Sequence, residues 1–263
     1  SGAGTIIRIT DIGTSGFGSL WERDGKEWYP LNGRVKLYQN AIPIGIAPSA
    51  TVAANGSVTF GAALPGNFPN GVWLYFPSGA ITTPGGAGFY YCTSIAASTT
   101  NFQVTNASVV GAPFAAPPSI PTGFANAVGS AAGFTAPTTE LSVLQYTVKG
   151  GAMGSSGALR YLARATVTNN ANAKNIRVKF GGATLYTSNA ASVAGTGLWA
   201  SISNRGSAGQ QVFTNGTADS AFTSGNSYTA QDTSVDQNVL VTLQLATATD
   251  NFFVDSFSLD LEA

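Results

Sequence analysis

Leu159-Arg160-Tyr161-Leu162-Ala163-Arg164-Ala165-Thr166-Val167-Thr168 is the stretch that decides the fold. Leu159, Tyr161, Ala163, Ala165 and Val167 recur at every second position, alternating with Arg160, Leu162, Arg164, Thr166 and Thr168. Successive side chains of an extended strand point to opposite faces, so the run reads as a β-strand with one apolar face. Ile176, Val178 and Phe180 alternate with Arg177 and Lys179 in the same way, and Val239, Val241, Leu243 and Leu245 continue the pattern. The chain closes on Phe253, Asp255, Phe257, Leu259 and Leu261 against Phe252, Val254, Ser256, Ser258 and Asp260. About eight such strands in about 125 residues predict a two-sheet antiparallel sandwich over residues 140–263, most simply a jelly roll. No amphipathic helix is legible anywhere, and the class expected for the whole chain is all-β.

Upstream, residues 112–139 carry Pro113, Pro117, Pro118, Pro121 and Pro137 among Ala and Gly. That composition favours extended backbone and cannot sustain a helix, so it reads as a linker, suited to lying against a neighbouring chain. Residues 41–111 read as a small β module with strands near Ser57–Phe60, Val72–Phe76, Phe89–Thr93 and Asn101–Thr105, separated by turn clusters such as Pro77-Ser78-Gly79. Residues 5–40 hold a hairpin signal in which Ser19–Arg23 and Lys26–Tyr29 flank Asp24-Gly25, a pair suited to a type I′ turn. Trp21 and Trp28 are then expected to pair across the strands and cover a small core. Ser1–Gly4 resembles a tag-cleavage remnant, and natural sequence is expected to precede Thr5.

Only 9% of the residues are charged, against roughly 25% in an average soluble domain. Hydroxyl and amide surfaces, or burial of apolar faces between subunits, must then keep the protein in solution, and a homo-oligomer is expected. The 12 basic and 12 acidic residues cancel, so no global field attracts nucleic acid or anionic lipid. No stretch approaches the roughly 20 apolar residues of a bilayer-spanning helix, and membrane insertion is not expected. The single cysteine, Cys92, cannot form an intrachain disulfide and reads as a small buried apolar side chain. Basic residues from Lys149 to Arg205 precede acidic ones from Asp219 to Glu262 in the terminal domain, which offers opposite signs on different strands.

The chain contains no histidine, which removes Ser-His-Asp and Cys-His catalysis and the usual histidine-bearing metal sites. No G-x-S-x-G elbow, P-loop or dinucleotide fingerprint occurs, and no cofactor is expected. Paired carboxylates such as Asp232 with Asp236, or Asp250 with Asp255, would suffice for a glycosidase or contribute to a calcium site. Acidic residues that cap turns and strand ends are the commoner case, and the protein is expected to be non-enzymatic and metal-free. Aromatic and guanidinium groups in turn-rich segments are the remaining functional material. Tyr186, Trp199, Arg205 and Tyr228 are the candidate glycan-binding residues, because rings stack on the apolar faces of sugars and Arg bonds vicinal hydroxyls or anionic substituents at two points. Trp199 suits the sandwich core as well, which is the reading favoured for it.

The run Gly18-Ser19-Leu20-Trp21-Glu22-Arg23-Asp24-Gly25-Lys26-Glu27-Trp28-Tyr29-Pro30-Leu31-Asn32-Gly33-Arg34-Val35 resembles a module common in the fibre and tail proteins of tailed bacteriophages. Gly71-Val72-Trp73-Leu74-Tyr75-Phe76-Pro77 with Gly88-Phe89-Tyr90-Tyr91-Cys92 resembles a second such module. Asp250-Asn251-Phe252-Phe253-Val254-Asp255-Ser256-Phe257-Ser258-Leu259 is similar to the closing strand of jelly-roll domains that bind carbohydrate or form fibre tips. The resemblance implies a receptor-binding tail fibre of a contractile-tailed phage, made in the host cytoplasm and carried on the virion. It implies a homotrimer joined upstream to other tail proteins, whose C-terminal domain meets lipopolysaccharide or capsule. It carries over no catalytic residue, and the repetitive parallel β-helix of capsule-degrading tailspikes is not visible here.

Overall fold

A computed structural model of the chain describes residues 5–9, 19–24, 27–30, 34–40, 42–65, 68, 70–83, 85–110, 114–116, 119–120, 128–129, 133–217 and 227–262. Strands dominate it, and among the described residues the one helical turn is a 3₁₀ turn at Ile95–Ala97. The expected all-β class is observed.

Strands β1 (Thr5–Ile9), β2 (Ser19–Asp24) and β3 (Glu27–Pro30) form a separate antiparallel sheet. Its register pairs Asp24 with Glu27, so Asp24 is a strand residue where the sequence placed it in the turn, and Gly25 lies outside the described residues. Trp21 stands opposite Pro30 and Trp28 opposite Arg23, so the two tryptophans are offset along the ladder and not cross-strand partners. β4 (Arg34–Gln39), grouped at sequence level with this hairpin, pairs instead with the last strand of the chain.

Between β4 and the sandwich come β5 (Ile44–Ile46), β6 (Ala50–Val52), β7 (Ser57–Thr59), β8 (Val72–Phe76), β9 (Ile81–Thr83), β10 (Gly88–Ser94), β11 (Asn101–Val110), β12 (Val128–Gly129) and β13 (Gly133–Phe134). The sandwich itself comprises β14 (Leu141–Val148), β15 (Ala158–Val167), β16 (Lys174–Phe180), β17 (Ala183–Asn189), β18 (Gly195–Asn204), β19 (Gln211–Thr217), β20 (Ser227–Thr229), β21 (Gln237–Leu245) and β22 (Phe252–Glu262). A 4-stranded sheet in the order β14-β21-β16-β17 packs against the run β4-β22-β15-β18 of the large sheet. Take β4, β14 to β18, β21 and β22 in chain order. The first then neighbours the eighth, followed by the third and sixth, while the second neighbours the seventh, followed by the fourth and fifth. This is the order of a jelly roll, with every ladder antiparallel. Its first strand is β4, so residues between Gln39 and Leu141 are an insertion between the first and second strands of the roll.

The insertion is tied to the roll by one continuous ladder. β22 pairs with β4 through Ser258–Glu262 and with β5 through Phe252–Val254, and β5 pairs in parallel with β8. From β8 the large sheet runs on through β10, β11, β7 and β6 to β13. Asn40 fills the break between β4 and β5. Its buried amide donates to the Ile42 carbonyl at 3.2 Å, while its side-chain oxygen accepts from the Phe257 amide. Gly45 is needed here because a Cβ would stand 2.2 Å from the Phe252 carbonyl.

Alternation decides which core each strand feeds. Leu159, Tyr161, Ala163, Ala165 and Val167 of β15 face Val239, Val241, Leu243 and Leu245 of β21 and Ile176, Val178 and Phe180 of β16 in the roll's core. β22 departs from the expected phase. Its ladder with β15 pairs Ser256 with Arg164 and Val254 with Ala165, so Asp255 is an extra residue in a β-bulge. The bulge sends Phe252, Val254, Phe257, Leu259 and Leu261 into the roll's core and turns Phe253 into a second one. Phe253 packs there on Phe68 with ring centroids 5.4 Å apart, among Val58, Phe60, Leu74 and Phe102. β8 is covered on both faces: Val72, Leu74 and Phe76 serve the second core, and Trp73 serves the first. That explains why Val72–Phe76 is a continuous apolar run.

Phe114 and Phe134, described residues of the Pro/Ala/Gly segment, pack on their own chain. Phe114 bridges to Leu144 and packs between Trp73 and Phe89, with centroids at 5.1 and 5.5 Å. Phe134 of β13 packs edge-on against Phe76, with centroids 5.2 Å apart. Cys92 is buried, and burial pushes its thiol far above the ordinary range.

Candidate functional site

The large sheet has an outer face that the four-stranded sheet does not cover. In β18, Leu198, Ala200, Ile202 and Asn204 are buried, while Gly197, Trp199, Ser201 and Ser203 alternate with them and are only partly buried. Trp199 therefore faces outward, contrary to the core placement favoured from the sequence. The indole shares its row with Leu162 of β15 and Gly216 of β19. Gly216 beside it and Gly197 two residues back supply no side chain on that flank, the pattern expected where another molecule approaches a strand closely. Arg160 and Arg164, both exposed, and Ser201, Ser256 and Ser258 surround the row.

Tyr228 of β20 lies on the same face. It pairs with Val212, which pairs with Ser203, and directly opposed residues of an antiparallel ladder share a face. The ring is 65% exposed, and the Arg205 guanidinium sits 5.1 Å from its centroid, a cation–π geometry. Trp199 and Tyr228 are separated by about 13 Å along the strands and about 10 Å across them.

A buried polar network holds Arg205 and Tyr228 in place. Arg205 follows Asn204 into the β18–β19 turn, where Gly206 takes a φ of 71° and Arg205 N donates to the Gln210 carbonyl at 3.0 Å. Asn204, expected in an exposed turn, is buried. Its amide donates to the Gly154 carbonyl at 2.6 Å and to Thr233 Oγ1 at 2.8 Å. Gln211 Nε2 donates to Asn204 Oδ1 at 3.0 Å, and Gln211 Oε1 accepts from the Gln231 amide at 2.9 Å, just past β20. The side-chain amides of Asn204 and Gln211 are all partnered, so the network fixes the turn and strand instead of carrying strain.

Of the four candidates, Trp199, Arg205 and Tyr228 come together on one face, and Tyr186 does not. Tyr186 belongs to β17 in the opposite sheet, pairs with Val178, and packs half-buried against the roll's core. Burial drives the hydroxyl of Tyr161 far up, with a further push from Tyr186.

The charged groups mostly pair within the chain. Arg34 reaches Asp260 at 2.6 Å and Glu262 at 3.8 Å, Arg160 reaches Glu262 at 2.7 Å, and Glu140 takes Lys179 at 2.6 Å and Arg177 at 3.5 Å. The carboxylates considered as pairs cap local structure. Asp232 accepts from the Ser234 amide at 2.9 Å, and Asp236 takes Lys149 at 2.8 Å and the Gly150 amide at 2.9 Å. Asp255 accepts from Thr166 Oγ1 at 2.5 Å, and burial raises its carboxyl above the usual range. Among the described residues, no group of three or more His, Cys, Asp or Glu is placed to hold a metal ion.

Sequence reasoning missed Leu162, Gly197 and Gly216 around the indole. The alternation of Leu198, Ala200 and Ile202 was the available signal for Trp199 itself. No protein-family model matches the chain, and no curated protein matches it. Among solved structures, a seed lectin of Lotus tetragonolobus aligns over 86% of this chain and 98% of its own, at 7% identity and a TM-score of 0.29. That superposition is too loose to relate the two folds strand by strand.

Proposed function

We propose that the protein is a non-enzymatic glycan-binding fibre module of a tailed phage, trimeric, attached upstream to other tail proteins, and gripping lipopolysaccharide or capsule with the outer face of its jelly roll. The observation that carries the reading is Tyr228, 65% exposed on an open sheet face and fixed by Arg205. An exposed ring held in one orientation offers an apolar surface to a pyranose with little ordering cost, and the guanidinium can bond its hydroxyls, carboxylate or phosphate. The half-buried indole of Trp199 extends the same surface, amid serine hydroxyls. Support for the phage assignment comes from the aromatic hairpin and closing-strand motifs and from the low charge of the chain.

The test is incubation of purified protein with an array of bacterial lipopolysaccharides and capsular polysaccharides, with sedimentation of the same preparation. Saturable binding without released oligosaccharide, and a mass three times the 26.7 kDa chain, are expected. Absence of binding to every glycan would point to a purely structural virion protein. Released oligosaccharide would point to a depolymerase, and a monomeric mass would contradict the trimer.

A further inference from the structure

The insertion contains a cleft of about 570 Å³, within the range of about 300–1,000 Å³ typical of small-molecule sites. It lies far along the large sheet from Tyr228, beyond β5 and β8. Tyr91 and Phe68, both almost fully buried, back it, and Gly71 turns over the Tyr91 ring. Gly71 has a φ of +80°, and a Cβ there would stand 2.6 Å from the Tyr91 hydroxyl, so glycine alone lets this turn lie on the ring. The Tyr91 hydroxyl donates to the Asn70 carbonyl and locks strand to turn.

The walls carry hydroxyls and an amide: Asn70, Thr93, Ser94, Ser98 and Thr99 line the cleft, with Ile120 of the proline-rich segment at its side. None of the described lining residues is charged. A second observation marks the same wall. Ala96 and Ala97 both hold positive φ, 52° and 55°, which side-chain-bearing residues rarely adopt. Ser94 Oγ donates to the Ser98 carbonyl and Ser98 N donates to the Ile95 carbonyl at 2.9 Å, which clamps this strained turn shut. Strain maintained by such clamps is characteristic of ligand-facing turns.

We infer that this cleft is a second binding site, for one uncharged pyranose unit. The exposed side chains of Ile120 and Ala97 offer an apolar surface to one face of a sugar, and a rim of neutral donors and acceptors suits its hydroxyls. A wall without charge would leave an anionic substituent desolvated and unpaired. The inference does not depend on the Tyr228 face.

Saturation-transfer NMR tests it, with the methyl glycosides of glucose, galactose, mannose and N-acetylglucosamine, and with glucuronic acid and a capped neutral tetrapeptide as comparisons. In Tyr228→Ala protein, whose jelly-roll face is disabled, transfer to at least one neutral glycoside is expected, and it is lost when Thr93→Trp, whose indole fills the cleft from its rim strand, is added. Thr99→Trp, on the exposed wall, replaces Thr93→Trp should the latter lower the melting temperature. No transfer to any neutral glycoside, preference for glucuronic acid or the peptide, or transfer that survives filling of the cleft would overturn the site. Transfer lost in Tyr228→Ala and kept in Thr93→Trp would overturn it too, while leaving the jelly-roll face intact as a binding surface.

Discussion

Replacing Lys174 by methionine is expected to lower the stability of the protein by about 3–5 kcal/mol, the usual cost of removing one partner from a buried charged cluster. Lys174 and Asp250 are both buried, at 0% and 1% exposure. The ammonium donates to Asn170 Oδ1 at 2.7 Å and to the Asn172 carbonyl at 2.6 Å, and lies 3.9 Å from Asp250. Asp250 in turn accepts from Asn170 at 2.6 Å, Asn172 at 3.0 Å and Thr247 at 2.8 Å. Burial pushes the lysine below its ordinary range, with the Asp250 charge opposing. For Asp250 burial pushes up, but the hydrogen bonds and the Lys174 charge prevail and hold the carboxyl low. The cluster ties the β15–β16 loop to the β21–β22 loop, so methionine would leave a carboxylate without its counter-charge and carbonyls without donors. Thermal unfolding should show a drop of roughly 6–20 °C for a chain of this size. A change within a degree or two would mean that the two loops are held by something else.

Phe253→Ala is expected to cost about 3–5 kcal/mol as well, and to destabilise both cores together. The side chain is fully buried in the second core, while its neighbours Phe252 and Val254 are buried in the first. One strand thus serves both, and β5 joins them through hydrogen bonds from β22 to β8. Urea unfolding followed by far-UV circular dichroism and by tryptophan fluorescence should give coincident transitions in both proteins, the variant's at lower urea. Separate transitions would show that the insertion unfolds as a domain of its own.

The existence of strands was plain in the sequence because period-two alternation survives any tertiary arrangement, and the apolar faces of β15, β16 and β21 lie where that alternation puts them. The phase of β22 was not legible, since a bulge at Asp255 changes no composition and resets the face of every residue before it. Nor was the membership of β4: its partner lies at the other end of the chain, as in the Arg34 to Asp260 bond across 226 residues, and no local pattern encodes such a pairing. The functional candidates divide in the same way. Trp199 faces outward as its own strand's alternation required, whereas the contact of Arg205 with Tyr228 depends on a strand pairing across the β19–β20 connection. Tyr186 was misplaced because its turn-rich surroundings, Thr184 to Asn189, form a strand that packs it inward. The cleft was invisible, because it is assembled from turn, strand and proline-rich segment that meet only in the folded chain.

Glycan recognition by the outer face of the roll is tested most directly by polysaccharide binding measured alongside thermal unfolding on Trp199→Ala and Tyr228→Ala. Each variant is expected to keep the parent melting temperature within a few degrees and to lose about 1–3 kcal/mol of binding to the recognised glycan, roughly a 5- to 150-fold weaker affinity. Unchanged affinity in both variants would contradict the account, as would a melting temperature that falls with Trp199→Ala by the amount a buried core tryptophan would cost while folded molecules bind as before.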